Sequence, residues 1–217
     1  MKMLMNKSAR LGAVFASSLI AARLFAADPA APNDTTAAPA INDAAMMKQM
    51  MELAKPNENH KLLAQLTGTW TDTVKMWMAP GAPPSVSTGT AERRAVMDGR
   101  YYVAHFDGEM KMPGEDGKLK NFRFHGMSIE GYDNVKKKFF STWVDNMGTG
   151  ILTSEGTYDP ASKSFTYTAE MEMIPGQKTK AREVLKIVDA DHHTLEWYED
   201  RGGQENKTME ITYTRKK

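Results

Sequence analysis

The stretch from Gly68 to Arg215 predicts an all-β fold, an antiparallel up-and-down β-barrel of about ten strands, and three observations carry that prediction. Short segments alternate apolar and polar residues with period two, turn-forming dipeptides punctuate them, and no connection leaves room for a crossover helix. In Phe165-Thr166-Tyr167-Thr168-Ala169-Glu170-Met171-Glu172-Met173 every odd position is apolar and every even position polar, which sends one face inward and the other to water. Met209, Ile211 and Tyr213 repeat the pattern in the last strand, and Trp70, Val74, Met76 and Met78 in the first. The remaining strands are expected near 86 to 97, 100 to 110, 119 to 132, 138 to 147, 150 to 158, 179 to 188 and 193 to 201. Asp98-Gly99, Asp133-Asn134, Asp159-Pro160, Pro175-Gly176 and Gly202-Gly203 supply short turns between them. Closure requires the first and last strands to pair through residues such as Val74 and Ile211.

The elements ahead of the barrel follow from composition. Residues 1–26 read as a secretory signal peptide: Lys2, Lys7 and Arg10 form a basic start, Leu11 to Ala22 is apolar, and Leu24-Phe25-Ala26 ends on a small residue, with Ala27 as the alternative cleavage point. The apolar run is about a dozen residues, short of the ~20 that span hydrocarbon, so no stable membrane span is expected after processing. Residues 27–45 are Ala, Pro, Asn, Asp and Thr with almost nothing large and apolar, and are read as a disordered tether. Residues 46–66 predict two short amphipathic helices. Asn42 or Asp43 caps the first, with Met46, Met50 and Leu53 on one face and Pro56 as its stop; Asn57 caps the second, with Leu62, Leu63 and Leu66 as its stripe and Gly68 as its exit. Both precede the barrel domain, 67–217, and are placed to plug one of its ends.

Composition excludes several classes of function. The 217 residues carry a formal charge of +1, and loss of the signal's four basic residues takes this to −3, so no basic field is left for nucleic acid or anionic lipid. Without cysteine there is neither a disulfide framework nor a thiolate metal site. The expected location is the periplasm or the medium of a bacterium.

Candidate chemistry is sparse. His192 and His193 are adjacent and face opposite ways on a strand, and His105 and His125 fall mid-strand where they meet across the sheet; hydrogen-bonded histidines account for all of them better than a metal or haem. Met76-x-Met78, Met110-x-Met112 and Met171-x-Met173 pair thioethers on one face, the soft donors that suit Cu(I), although methionine that fills gaps and lines cavities explains them more simply. Asp145, Glu155 and Glu183 sit where an apolar wall raises a carboxyl pKa, the footing for an enzyme, with Arg123 and Arg182 as alternative ion-pair partners. No nucleophile elbow, phosphate loop or dinucleotide fingerprint is present. The block from Trp143 to Gly150 marks a strand running into a hairpin at a barrel rim, either a tight turn or a mouth contact.

Certain residues resemble a known family. Asn59-His60-Lys61-Leu62-Leu63, Leu66-Thr67-Gly68-Thr69-Trp70, Gly131-Tyr132-Asp133-Asn134, Thr142 through Gly150 and Glu155-Gly156-Thr157-Tyr158-Asp159 are similar to the bacterial domain of unknown function 1579, over roughly residues 46 to 215. That resemblance implies a single-domain β-protein and assigns no activity, catalytic residue or cofactor. A broader resemblance is to calycin barrels, the lipocalins and their relatives, through Gly68-x-Trp70 and a basic residue, Arg215, near the end; the lipocalins' disulfides are missing here. Trp70 and Arg215 lie on inward-phase faces of strands that must pair, so a guanidinium over an indole is expected to seal the barrel floor, an interaction of about 0.5 to 2 kcal/mol.

A barrel of about ten strands encloses more room than side chains readily fill, so the expected role is non-catalytic binding of a small apolar or amphipathic molecule. Phe122, Phe124, Trp143, Phe165, Tyr167 and Met171 are the expected lining, with Asp145 beside Trp143. The rival readings are a packed barrel that serves as a protein-interaction module, a carboxylate-dependent enzyme and a periplasmic copper binder.

Overall fold

The computed structural model describes residues 43–200 and 202–217; the expected signal peptide and residues 27–42 of the expected tether lie outside the described residues. Helices α1 (Asp43–Leu53) and α2 (Glu58–Ala64) precede ten strands: β1 (Gly68–Met76), β2 (Ser85–Val96), β3 (Tyr101–Pro113), β4 (Leu119–Asp133), β5 (Lys138–Asp145), β6 (Leu152–Asp159), β7 (Ser164–Ile174), β8 (Gln177–Ile187), β9 (His192–Asp200) and β10 (Glu205–Arg215). The strands form one closed barrel in which each pairs with its sequence neighbours and β10 returns to β1. Every pairing is antiparallel, and the seam runs from Trp70↔Arg215 through Val74↔Ile211 to Met76↔Met209. Closure leaves no strand edge unpaired, which removes the usual route to edge-to-edge association.

Alternation in the sequence decides which residues enter the barrel. Cross-strand partners share a face, so the row Trp70, Ala91, Phe106, Gly126, Asp145 can be followed inward across β1 to β5. The turn between β2 and β3 places Met97, Asp98 and Gly99 at positive φ, the left-handed run that lets four residues reverse the chain.

One end of the barrel is stopped by α2. Asn57 accepts from the Asn59 amide at 2.9 Å while its own amide donates to His60 Nδ1 at 3.1 Å, a reciprocal cap that starts the helix. Leu63 and Leu66 are completely buried against Tyr102, Phe139, Phe165, Tyr167, Leu185 and Ile187. The Tyr102 hydroxyl donates to His60 O at 2.8 Å, and Trp70 Nε1 donates to Leu66 O at 3.0 Å, which ties the plug to the wall. The plug is α2 alone: α1 buries none of its residues, and Met46, Met47, Met50 and Met51 all face solvent because no strand lies under them. Asn134 holds the end of α1, donating to Leu53 O and Lys55 O at 2.7 and 2.9 Å.

Beneath the plug the first and last strands are clamped together. The Arg215 guanidinium lies 4.0 Å over the Trp70 ring and donates to Thr67 O at 2.6 Å and Ala190 O at 2.8 Å. Gly68 lets this happen on two counts. Its φ of +125° suits glycine, and a Cβ there would collide with the guanidinium.

Candidate functional site

Among the described residues no helix covers the opposite end of the barrel, and inward residues there are only half-buried. Phe106, Phe124, Trp143, Trp197 and Met209 all keep part of their surface exposed although they occupy inward positions. The Trp143 ring packs 5.1 Å from Phe106 and stacks on Phe124 at 6.2 Å with an interplanar angle of 16°. Gly126 makes room for it, since a Cβ at that position would meet a Trp143 ring carbon at 2.5 Å. Trp143 Nε1 donates to Asp145 Oδ2 at 2.7 Å, fixing the ring against its strand. The same device recurs across the lumen on β9, where Trp197 Nε1 donates to Glu199 Oε1 at 3.2 Å.

Between this aromatic mouth and the plugged floor, four strands put charged residues at inward positions. Asp72 stands between Trp70 and Val74, Arg93 between Ala91 and Ala95, Glu130 between Ser128 and Tyr132, and Glu183 between Ala181 and Leu185. Arg93 Nη2 donates to Glu130 Oε1 at 2.8 Å, and Ser128 Oγ donates to the same oxygen at 2.9 Å. Both partners are 7% exposed, so the pair has lost nearly all of its hydration. Among the described residues neither Arg93 Nε nor Glu130 Oε2 has a hydrogen-bonding partner. An unsatisfied buried donor or acceptor costs about 1–3 kcal/mol, and here one of each faces the lumen.

The other titratable groups respond to the same enclosure. Burial pushes the Asp72 carboxyl up to about 6, against the lowering influence of the Gly89 amide. Burial and then the Glu130 charge push Glu183 up to about 7, with Arg93 opposing. Glu183 nonetheless keeps part of its surface open, which places its carboxyl at the lumen wall. His193, stacked 4.2 Å from Tyr213 and edge-on to Trp70 at 4.3 Å, is held neutral: burial, then the charges of Arg93 and Arg215, lower it to about 2. Burial raises the Tyr167 and Tyr213 phenols as well, so both stay protonated donors.

These shifts set a pH dependence of stability. Asp72 and Glu183 have folded values above their reference values of 3.8 and 4.5, so their stabilising contribution is complete below those values and is lost as pH rises through about 6 and about 7. His193 has the opposite sign: its contribution is present above 6.5 and is lost as pH falls toward about 2. Going from about pH 8 to about pH 5 should therefore stabilise the protein by about 2 kcal/mol net, with a decline on further acidification as His193 is forced to charge. Thermal unfolding across this range checks it; a Tm that only falls with acidification would contradict the buried arrangement.

The residues expected from sequence divide by depth. Phe122, Phe124, Trp143, Asp145 and Met171 are half-buried on the inward faces of β4, β5 and β7 toward the rim. Phe165 instead sits in the floor core, fully buried between Phe139 and Tyr158, and Tyr167 lies above it as the cross-strand partner of Glu183. Met173 departs from the inward pattern and is 83% exposed, because the register of β7 shifts between Glu172 and Ile174. Asp145 and Glu155 are not brought together: Glu155 points outward to Lys136 at 2.7 Å. His105 and His125 do not meet either, His105 lying opposite Met127 and His125 pairing with Asp107 at 2.5 Å. Among the described residues no group of three or more His, Asp or Glu is arranged to hold a metal ion. Asp72, Arg93 and Glu130 are the residues that sequence reasoning passed over, whereas His193 was weighed there as a hydrogen-bonded histidine. The signal of the three was available in the alternation itself, as a polar residue at each of three apolar-phase positions.

A groove of about 340 Å³ also opens at the rim, lined by Trp77, Pro80, Asn206, Lys207 and Thr208. Its charged side chain, Lys207, is already held by Glu196 at 3.1 Å and Glu210 at 2.6 Å. In comparison with known proteins, the family model described as a protein of unknown function (DUF1579) matches residues 55–215. No curated protein matches the sequence.

Proposed function

The chain belongs to the DUF1579 family, whose description assigns no function, and we propose from the site geometry that its barrel is a receptacle for a small amphipathic molecule. The observation that carries this reading is the lumen's polarity gradient: an open, half-buried aromatic wall around Trp143 leads down to the Arg93–Glu130 pair, whose free Nε and Oε2 lack partners. A ligand with an apolar body and a polar head satisfies both halves at once, since concave sites combine apolar walls with a few convergent polar groups. Export is part of the proposal; the secretory reading of residues 1–26 is tested by the N-terminal sequence of the protein recovered from its host, expected to begin at Ala27.

Native mass spectrometry of the full protein, gently purified, is expected to detect a retained small molecule, and titration with amphiphiles is expected to perturb tryptophan emission through Trp143 and Trp197. Trp143→Ala should weaken binding by about tenfold, the effect of removing one well-packed aromatic contact. An empty protein whose emission is unmoved by neutral, anionic and cationic amphiphiles alike would refute the proposal.

A further inference from the structure

We propose that α1 carries a binding site for one Cu(I) ion, formed by the thioethers of Met46, Met47, Met50 and Met51 and independent of the barrel interior. Spacing, exposure and anchoring each support it.

Spacing sets the donors side by side. At 3.6 residues per turn the four methionines fall within about 140° of one another around the helix, while Lys48, Gln49 and Glu52 take the far side. Met46 and Met50 stand four residues apart, as do Met47 and Met51, and Met47 and Met50 stand three apart, the separations at which side chains on a helix are neighbours. Each sulfur sits on an unbranched, freely rotating chain, so several can turn onto one ion. Thioethers are soft donors that select Cu(I) over harder cations. With no cysteine in the chain, they are its only sulfur ligands.

Exposure shows that the fold makes no use of them. The four side chains belong to residues 45%, 57%, 56% and 64% exposed, and α1 buries nothing. Four of the chain's 17 methionines therefore sit in an eleven-residue helix that has no core to fill. Helix formation alone would be served as well by leucine or alanine. What methionine adds is the sulfur.

Anchoring holds the set in place on the barrel. Besides the Asn134 bonds to its end, the helix is followed by Ala54, whose carbonyl accepts from Arg100 Nε at 3.2 Å. The same guanidinium donates through Nη1 to Met97 O at 3.2 Å, which ties the β2–β3 turn to this end of α1. Met97 is 69% exposed at a φ of +51°, a left-handed turn position that favours glycine or asparagine. A fifth solvent-facing thioether thus stands at this corner against the preference of its backbone. The charges around the site are Asp43 and Lys48, the Glu52–Lys55 pair at 2.6 Å and the Asp98–Arg100 pair at 3.5 Å. None of them is a soft ligand.

A thioether has no proton to lose, so binding should release none and should not weaken in acid as a histidine or carboxylate site does. The test titrates the full-length processed protein with Cu(I), under anaerobic ascorbate against a chromophoric Cu(I) chelator, and with Ag(I) as a redox-inert probe by calorimetry. One equivalent should bind, with affinity at about pH 5 within about twofold of that at about pH 8, and excess Zn(II) should not displace it. Met46→Leu, Met47→Leu, Met50→Leu and Met51→Leu together keep the helix and its apolar face; they should leave the Tm unmoved and lower affinity at least about a hundredfold. Met110→Leu with Met112→Leu, on β3, should change nothing. In the unmodified protein the methyl resonances of the four α1 methionines should shift together with one equivalent of Ag(I), whatever the variant's stability. No binding of either ion, affinity retained by the fourfold leucine variant, or a steep loss of affinity in acid would overturn the site.

Discussion

Arg93→Ala should cost about 3–5 kcal/mol of folding stability, measured by chemical denaturation at about pH 8. The reason lies in what it leaves behind. Glu130 would keep only the Ser128 hydroxyl at 2.9 Å, inside a lumen that also holds the Glu183 and Asp72 carboxyls. Most of the loss is the penalty of stranding buried charge, so replacing both partners with apolar side chains of similar volume, Arg93→Met with Glu130→Met, should recover most of it. That double variant separates stability from function. It should fold about as well as the original while losing affinity for any ligand whose head uses the pair. A loss below about 1 kcal/mol for Arg93→Ala would mean that water reaches the pair freely.

Trp70→Ala should have an effect of similar size, about 3–5 kcal/mol, because it removes the central side chain of the floor. The indole is 2% exposed, donates to Leu66 O at 3.0 Å, meets His193 edge-on and carries the Arg215 guanidinium. Its loss opens a cavity under α2 and uncouples the plug from the seam between β1 and β10. Trp70→Phe keeps much of the packing and forfeits the hydrogen bond, so it should cost markedly less than the alanine. A double-mutant cycle with Arg215→Ala should return a coupling of about 0.5–2 kcal/mol for the guanidinium–indole contact. If Trp70→Ala melts within a degree or so of the original, the floor is not the keystone described above.

Much of this architecture was legible in the chain because it follows from local rules. Residues 165–173 alternate as a strand must, Asp98-Gly99 reverses direction where left-handed backbone is needed, and Asn57 caps α2 three residues before His60. The candidate site was less legible. Trp143, Asp145, Phe122, Phe124 and Met171 were marked by residue type and strand phase, and the structure sets them along the open half of the lumen. Phe165 carries the same phase, yet its depth puts it in the floor core, since phase fixes which face a residue takes and says nothing of how far along the barrel it stands.

Pairing across the lumen depends on register and closure together. Arg93 and Glu130 are 37 positions apart and meet over β3 because the register sets Arg93 opposite Ala104 and Glu130 opposite Tyr102, on the inward face two residues apart along that strand. Asp145 and Glu155, neighbours in sequence order, part to opposite sides of the wall for the same kind of reason. The amino-acid sequence by itself determined the strands, their antiparallel order, the capping helix and which residues face inward, because these rest on periodicities and turn conformations a few residues long. Only the closed tertiary structure decided that Arg93 meets Glu130 in the same interior as the Asp72 and Glu183 carboxyls, because bringing distant charges together out of water takes a wall that wraps fully around them.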